Sequence, residues 1–297
     1  MSAPAHVAAL KAALAARDHG RRRLLSVPGC WDGLTALLIE KAGFDAAFLS
    51  GGALSMGVFG RPDMGLTTAT ELERVVAAIR DRVALPLIVD GDTGFGNALN
   101  TAHTVRRLER AGASAIQLED QTFPKRCGHM AGKTVVPLSE ALGRLAAALD
   151  AREHALIVAR TDAVSVEGFE PAMERAEAFL AAGADLVFVE GPRTLQETRE
   201  IGARLGGRAP LVHNLVEGGV TATRAGAELE AMGFAVALHP LLLMHGFVRA
   251  APRWLETLRR ERSTEALDGE LVTLADMNSL TGASALLADA ERYGADD

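Results

Sequence analysis

Pro86-Leu87-Ile88-Val89-Asp90 is followed at once by Gly91-Asp92-Thr93-Gly94-Phe95-Gly96. The first five residues are an apolar run that opens on proline and closes on a carboxylate. The next six carry turn chemistry. A run this short and apolar has no polar face, so as a strand it is buried on both sides. A segment of helical period follows at 100–111. A second such run, Ala115-Ile116-Gln117-Leu118-Glu119, again ends in acid. Strand, turn, helix, strand is the unit from which parallel sheets are built.

Outward from this unit the pattern repeats. Further strands are expected at 24–27, 46–50, 155–160, 185–190, 210–214 and 234–238. Pro28-Gly29 stop the first of these and Gly51-Gly52 close the second. Helices are expected at 4–18, 33–42, 69–82, 138–152, 170–182, 194–204, 223–232 and 241–260, several ending in Ala-Gly, where glycine is the expected stop. Eight strands alternating with helices define the α/β class and favour a closed (β/α)8 TIM-type barrel over an open doubly wound sheet. Residues 1–262 are read as the barrel with its leading helix. Residues 263–297 carry Leu271, Leu274, Leu280, Leu286 and Leu287 at helical spacing. They are too few for a domain and are read as a C-terminal helical arm that packs on the barrel or on a neighbouring subunit.

Composition narrows the function. A chain of 297 residues that is 48% hydrophobic and 23% charged is ordinary globular protein. The net charge of −7 argues against general nucleic-acid affinity. No apolar run is long enough for a membrane span. The first residues lack the basic-then-apolar plan of a signal peptide. Two distant cysteines, Cys30 and Cys127, make no disulfide framework and point to a reducing, cytoplasmic setting.

In a barrel of this kind chemistry gathers at the C-terminal ends of the strands. Here those ends carry Ser50-Gly51-Gly52, Asp90 and Asp92, Glu119 and Asp120, Arg160-Thr161-Asp162, Glu190 and His213-Asn214. Asp120 and Asp162 also fit plain helix N-caps. Asp90, Asp92 and Glu119, with Asp63 in the loop after the second strand, are a concentrated set of hard oxygen donors. Such a set suits Mg²⁺ or Mn²⁺ rather than zinc. The alternative is a set of carboxylates neutralised by Arg and Lys. Gly91–Gly96 fits neither dinucleotide nor P-loop spacing, so no nucleotide is expected. Beyond the fourth strand lies Lys125-Arg126-Cys127-Gly128-His129. Two cations and a histidine around the cysteine favour thiolate over thiol, and the flanking glycines mark a long loop.

These stretches carry a resemblance. Val89-Asp-Gly-Asp-Thr-Gly-Phe-Gly-Asn97, Leu118-Glu-Asp-Gln121 and Pro124-Lys-Arg-Cys-Gly-His129 follow one another in the order seen in the isocitrate lyase / phosphoenolpyruvate mutase superfamily. Ser50-Gly51-Gly52, Arg61-Pro62-Asp63, Ala159-Arg-Thr-Asp-Ala163 and Phe188-Val-Glu190 fit the same family. The resemblance covers residues 20–260, and the cysteine stretch resembles the carbon–carbon lyase branch. It implies a modified barrel whose eighth helix is swapped between subunits of a homotetramer, a dimer of dimers. It implies Mg²⁺ or Mn²⁺ held by Asp90, with Asp63, Asp92 and Glu119 around it. Ser50, Gly51 and Gly52 would bind the carboxylate of the pyruvate-like half of the substrate. Arg160, His129, Asn214 and Glu190 would hold the other half, with Gly128 beside it, and Cys127 would act as general acid on a gating loop with Lys125. At Phe48 the chain departs from the family, where many members carry a tyrosine near the substrate oxygen. The implied reaction cleaves a 2-hydroxy di- or tricarboxylate of the 2,3-dimethylmalate or 2-methylisocitrate type to pyruvate or glyoxylate plus a carboxylate. The alternatives on the same fold are a carboxyphosphonoenolpyruvate mutase-type reaction and hydrolysis or decarboxylation of oxaloacetate. A non-catalytic, carboxylate-binding barrel would have shed some of the aspartates or the cysteine, and none is shed here.

Overall fold

The computed structural model of the chain describes residues 2–18, 21–128, 130–219 and 225–294. Eight parallel strands close on themselves: β1 Leu25–Cys30, β2 Ala47–Leu49, β3 Leu87–Asp90, β4 Ala115–Glu119, β5 Leu156–Thr161, β6 Leu186–Val189, β7 Leu211–Asn214 and β8 Val236–His239. Each pairs with the next, and β8 returns to β1 with Val236 opposite Leu25 and His239 opposite Pro28. The expected barrel is present.

Helix α1, Ala5–Ala15, precedes the barrel and contributes Leu10 and Leu14 to its apolar core. Between strands lie α2 Gly33–Lys41, α3 Gly51–Phe59, α4 Ala69–Arg82, α5 Ala98–Ala111, α6 Leu138–Ala151, α7 Phe169–Ala181, α8 Leu195–Leu205 and α9 Gly226–Ala231. Caps fix where they start. Asp32, Thr68, Asn97 and Thr194 each close a reciprocal side-chain bond with the third helical residue of α2, α4, α5 and α8. Gly112 stops α5 at φ 110°, a conformation that glycine adopts without strain.

Two expectations change. Strand β1 does not stop at Pro28 but runs on to Cys30, because Gly29 and Cys30 pair with Phe48 and Leu49 of β2. Gly51-Gly52 do not form a turn but open a nine-residue helix, α3, whose N-cap is Ser50. Glycine is a poor helix former, so propensity hid this helix; the seryl cap was its signal. Part of the helix expected at 223–232 lies outside the described residues.

Along each strand alternate side chains point into the barrel. Leu25, Val27, Phe48, Ile88, Ala115, Leu156, Val158, Leu186, Phe188, Val212, Val236 and Leu238 form one buried apolar cluster. The same parity, carried to the C-terminal ends, delivers Asp90, Gln117, Glu119, Arg160, Glu190 and Asn214 to the rim above it. The chain forms two compact units, Met1–Met244 and His245–Asp297. In the second, α11 Leu274–Thr281 and α12 Ala283–Tyr293 follow most of α10, Leu242–Glu261. Helices α11 and α12 bury no residue; Leu274, Leu286 and Leu287 are exposed.

Candidate active site

The rim is buried and heavily charged. Asp90 accepts from the Gly51 backbone amide at 3.2 Å through one oxygen and from Gln117 Nε2 at 3.2 Å through the other. Asp92 follows in the turn with φ 47°, a left-handed backbone that a non-glycine residue adopts at a cost and that clusters at functional sites. That turn is held by its carbonyl, which accepts from the Glu119 amide at 2.9 Å. Lys125 Nζ reaches into this group, 2.5 Å from Asp63 Oδ1 and 2.8 Å from Asp92 Oδ1. On the other side Arg160, in register with Glu119, pairs with Asp162 at 2.9 Å, Glu119 at 3.4 Å and Glu190 at 3.6 Å. Its guanidinium stacks over Phe188, and Asn214 Nδ2 donates to Glu190 at 3.3 Å.

Two cations do not balance this many carboxylates. Burial, with Asp90 and Asp63 adding to it, pushes Asp92 up to about 7 against the pull of Lys125. Burial likewise holds Glu119 well above the carboxylate range, and Arg160 offsets it only in part. Burial alone would depress Lys125, yet the surrounding carboxylates, Asp92 first, raise it well above its ordinary value. Glu119 Oε1 is buried with no hydrogen-bond partner. The pocket therefore has room in its charge balance for one more cation. Among the described residues no three His, Cys, Asp or Glu side chains converge into a ready cage. The unpartnered Glu119 oxygen and the buried carboxylates around it are hard donors of the kind a divalent ion takes one or two at a time, with water and substrate completing its shell.

The residues expected at the site separate into groups. Asp63, Asp90, Asp92 and Lys125 meet on one side of the rim; Glu119, Arg160, Glu190 and Asn214 meet on the other. Ser50, Gly51 and Gly52 form the N-terminus of α3 beside the first group, where a Cβ on Gly51 would lie 3.0 Å from Asp90 Oδ2 and one on Gly52 3.4 Å from Asp63 Oδ2. Cys127 is half-buried; its amide donates to the Asp63 carbonyl at 3.1 Å. Gly128 is so close that a Cβ there would stand 2.5 Å from Arg160 Nη2. Phe48 lies below the rim, within the apolar core beside Ile88. His129 lies outside the described residues.

Gln117 and Lys133 went unforeseen. Gln117 was legible in principle, since it sits two residues before Glu119 and so shares its inward parity. Lys133 carries no local signal; only the fold brings its buried amine to Asp162 at 2.8 Å. Asp162 makes no capping bond and instead holds Arg160 and Lys133. Burial opposes its ionisation, yet these two cations keep it at about 2. Asp120 is structural: it accepts from Thr161 Oγ1 at 2.7 Å, from the Asp162 amide at 2.9 Å and from Arg175 at 3.2 Å.

A closed parallel barrel with a carboxylate-rich C-terminal rim and a cysteine loop folded onto it defines a class, the barrel enzymes of small carboxylates. The chain belongs to the phosphoenolpyruvate phosphomutase family, whose model matches residues 14–258. It is 38% identical to the 2,3-dimethylmalate lyase of Eubacterium barkeri, over 88% of this chain and 90% of that one. It is 40% identical to a 2-methylisocitrate lyase of Aeropyrum pernix, over 88% and 84%. It is 42% identical to the chloroplastic carboxyvinyl-carboxyphosphonate phosphorylmutase of Arabidopsis thaliana, over 86% and 77%. Among solved structures, the trigonal crystal form of a 2,3-dimethylmalate lyase superposes with a TM-score of 0.90 at 31% identity, covering 99% of this chain and 96% of that one.

Proposed function

We propose that the chain is a metal-dependent carbon–carbon lyase whose substrate is a 2-hydroxy acid with a second carboxylate on the neighbouring carbon, of the 2,3-dimethylmalate or 2-methylisocitrate type. The observation that carries the reading is the seat of the thiol loop: the Cys127 amide is bonded to the Asp63 carbonyl and Gly128 lies against Arg160, so the cysteine stands over the charged rim.

Mg²⁺ or Mn²⁺ held by Asp90, with Asp63, Asp92 and Glu119 around it, would supply Lewis acidity to the substrate's 1-carboxylate and 2-oxygen. The N-terminus of α3, at Ser50, Gly51 and Gly52, binds the carboxylate of the pyruvate-like half, as helix N-termini bind anions. The Ser50 amide is held by the Cys30 carbonyl and the Gly51 amide by Asp90, so the Ser50 hydroxyl and the Gly52 amide are the donors that face it. Arg160, Asn214, Glu190 and His129 hold the other half. Loss of the 2-hydroxyl proton to a base breaks the C2–C3 bond. Pyruvate or glyoxylate leaves, and the bonding pair moves onto the second fragment, delocalised into its carboxylate. Arg160 stabilises that charge, an effect worth about 3–4 kcal/mol for a well-placed donor. The Cys127 thiol gives its proton to the carbon and becomes a thiolate; solvent restores the thiol. Phe48, having no hydroxyl, takes no part as a base. On this reading the enzyme works in the cytoplasm as a homotetramer, with the eighth barrel helix, α10, exchanged between subunits and residues 263–297 as a C-terminal helical arm.

The 42% identity to a phosphorylmutase keeps a second reading in view, mutase or oxaloacetate-hydrolysing chemistry at the same rim. NMR of products separates the readings. With Mg²⁺ present, 2,3-dimethylmalate or 2-methylisocitrate should yield pyruvate, and chelation with EDTA should stop it until Mg²⁺ or Mn²⁺ is returned. Oxalate and acetate from oxaloacetate, with neither hydroxy acid cleaved, would replace the lyase by the hydrolase.

A further inference from the structure

Four backbone groups of the stretch Arg126–Gly128 are held by residues outside that stretch. On the entry side, Gln121 clamps Arg126: its Nε2 donates to the Arg126 carbonyl at 2.8 Å and its Oε1 accepts from the Arg126 amide at 3.1 Å. In the middle, the Cys127 amide rests on Asp63. On the exit side, Lys133 Nζ donates to the Gly128 carbonyl at 2.6 Å and to Asp162 Oδ1 at 2.8 Å. The Lys133 side chain is 2% exposed and the Asp162 side chain 0%. A lysine ammonium is buried only where its partners replace water, and here one of the two partners is the loop itself.

Asp162 is not free to serve Lys133 alone. Its Oδ2 accepts from Arg160 Nε at 2.9 Å and its Oδ1 from Arg160 Nη2 at 3.1 Å. One carboxylate therefore fixes the fork of Arg160 and, through Lys133, the carbonyl next to Cys127.

We propose that Lys133 is the positioning residue that latches the cysteine loop onto the substrate-binding arginine, so that the seat of Cys127 and the orientation of Arg160 are set together by Asp162. This rests on the reading of Cys127 and Arg160 as a pair acting on one substrate. The latch itself is a statement about where the loop sits, and it can be measured without turnover. With Lys133 removed, Gly128 loses its donor and Asp162 keeps Arg160. The loop then lifts while the barrel stays intact.

The experiment is alkylation of the full-length protein by iodoacetamide, read by mass spectrometry at Cys127 and Cys30. In Lys133→Met, Cys127 should react roughly tenfold faster than in the wild type, the response to a roughly tenfold larger unseated fraction of the loop. Cys30, in the barrel wall, should stay unreactive and the Tm should hold. Lys133→Gln, which keeps a donor for Asp162 but is too short for Gly128, should give the same rise and covers the case in which the methionine variant does not fold. On the substrate found by product analysis, kcat should fall with KM changed far less. An unchanged Cys127 rate in a folded variant overturns the latch. So does a rise shared by Cys30 with a lowered Tm, which marks general loosening. A faster Cys127 rate in a protein that cleaves neither hydroxy acid upholds the latch and rejects the lyase.

Discussion

The two thiols differ in the way their roles require. Cys30 is fully buried at the end of β1, where burial, and then Asp32, push its pKa up; it is an inert wall residue. Cys127 is half-buried on a loop bonded to the rim. A serine at 127 keeps the shape and is a far weaker acid. Cys127→Ser should cost turnover about 10²–10⁴-fold with an unchanged Tm, as removal of a general acid does. Near-wild-type turnover would remove Cys127 from the mechanism. At the other end of the barrel, His6 Nδ1 is bonded to Ser114 Oγ at 2.9 Å. Burial, and then Arg80, lower its pKa from 6.5 to about 4. The unfolded chain therefore binds a proton between these values that the folded chain refuses, so His6 lowers stability as pH falls from 6.5 towards 4. His6→Asn, which keeps a polar partner for Ser114 and cannot ionise, should flatten the fall of Tm across that window. An identical Tm–pH curve would show that His6 is not responsible. At this scale the sequence disclosed the carboxylates and the cysteine, because reactive residue types at strand ends announce themselves. It did not disclose Lys133, whose meaning lies wholly in what the fold sets beside it.

Among the elements, α3 matters most to the site and was the one hidden in the sequence. Gly51-Gly52 reads as a turn by propensity, yet the pair starts a helix because Ser50 caps it, its Oγ accepting from the Ala53 amide at 3.2 Å. The reason for glycine is proximity: at Gly51 a side chain would meet Asp90 Oδ2 at 3.0 Å and Asp92 Oδ1 at 3.2 Å. Alanine suits a helix better than glycine, so Gly51→Ala should leave the Tm unchanged or raise it. The same methyl should push Asp90 aside by a few tenths of an ångström and lower kcat/KM by roughly tenfold, short of the roughly hundredfold of a full 1 Å misplacement. A variant that is fully active would show that Asp90 has slack to spare. The strands were far more legible. Apolar runs bounded by turn residues are dictated by burial on both faces, and parity along them places Asp90, Glu119, Arg160, Glu190 and Asn214, though not the loop residues Asp63 and Lys125. Strand β1 ran past its proline because pairing with β2 and β8 outweighed the local stop signal.

For the whole molecule, the distribution of apolar surface is uneven. The barrel buries most of its hydrophobic residues in one core, with Leu66, Leu99 and Phe123 among the exceptions, whereas in the much shorter unit His245–Asp297 the residues Phe247, Val248, Leu255, Leu286, Leu287 and Tyr293 are all more than half exposed. So much exposed apolar surface in one short region marks an interaction surface. The expected partner is another copy of the chain, and light scattering should report a tetramer. A monomer at micromolar concentration would refute it. The helical spacing of 271–287 was visible in the sequence, but what covers those leucines is a property of an assembly, on which a single chain's periodicity is silent.

The barrel's closing seam has a further consequence. Val236 to His239 pair with Leu25 to Pro28, the first strand with the last, and nearly all of the barrel's chain lies between them. Contacts so distant in sequence carry a large loop-closure cost and form late. On a ribosome, seven strands emerge before the eighth exists to shut the ring. Asp90, Glu119, Arg160 and Glu190 sit at the ends of β3 to β6, which are neighbours in the sheet, so this side of the rim can assemble before the ring shuts. The open sheet, meanwhile, presents two unpaired edges, and it is during this interval that the chain is most exposed to aggregation and most in need of a chaperone.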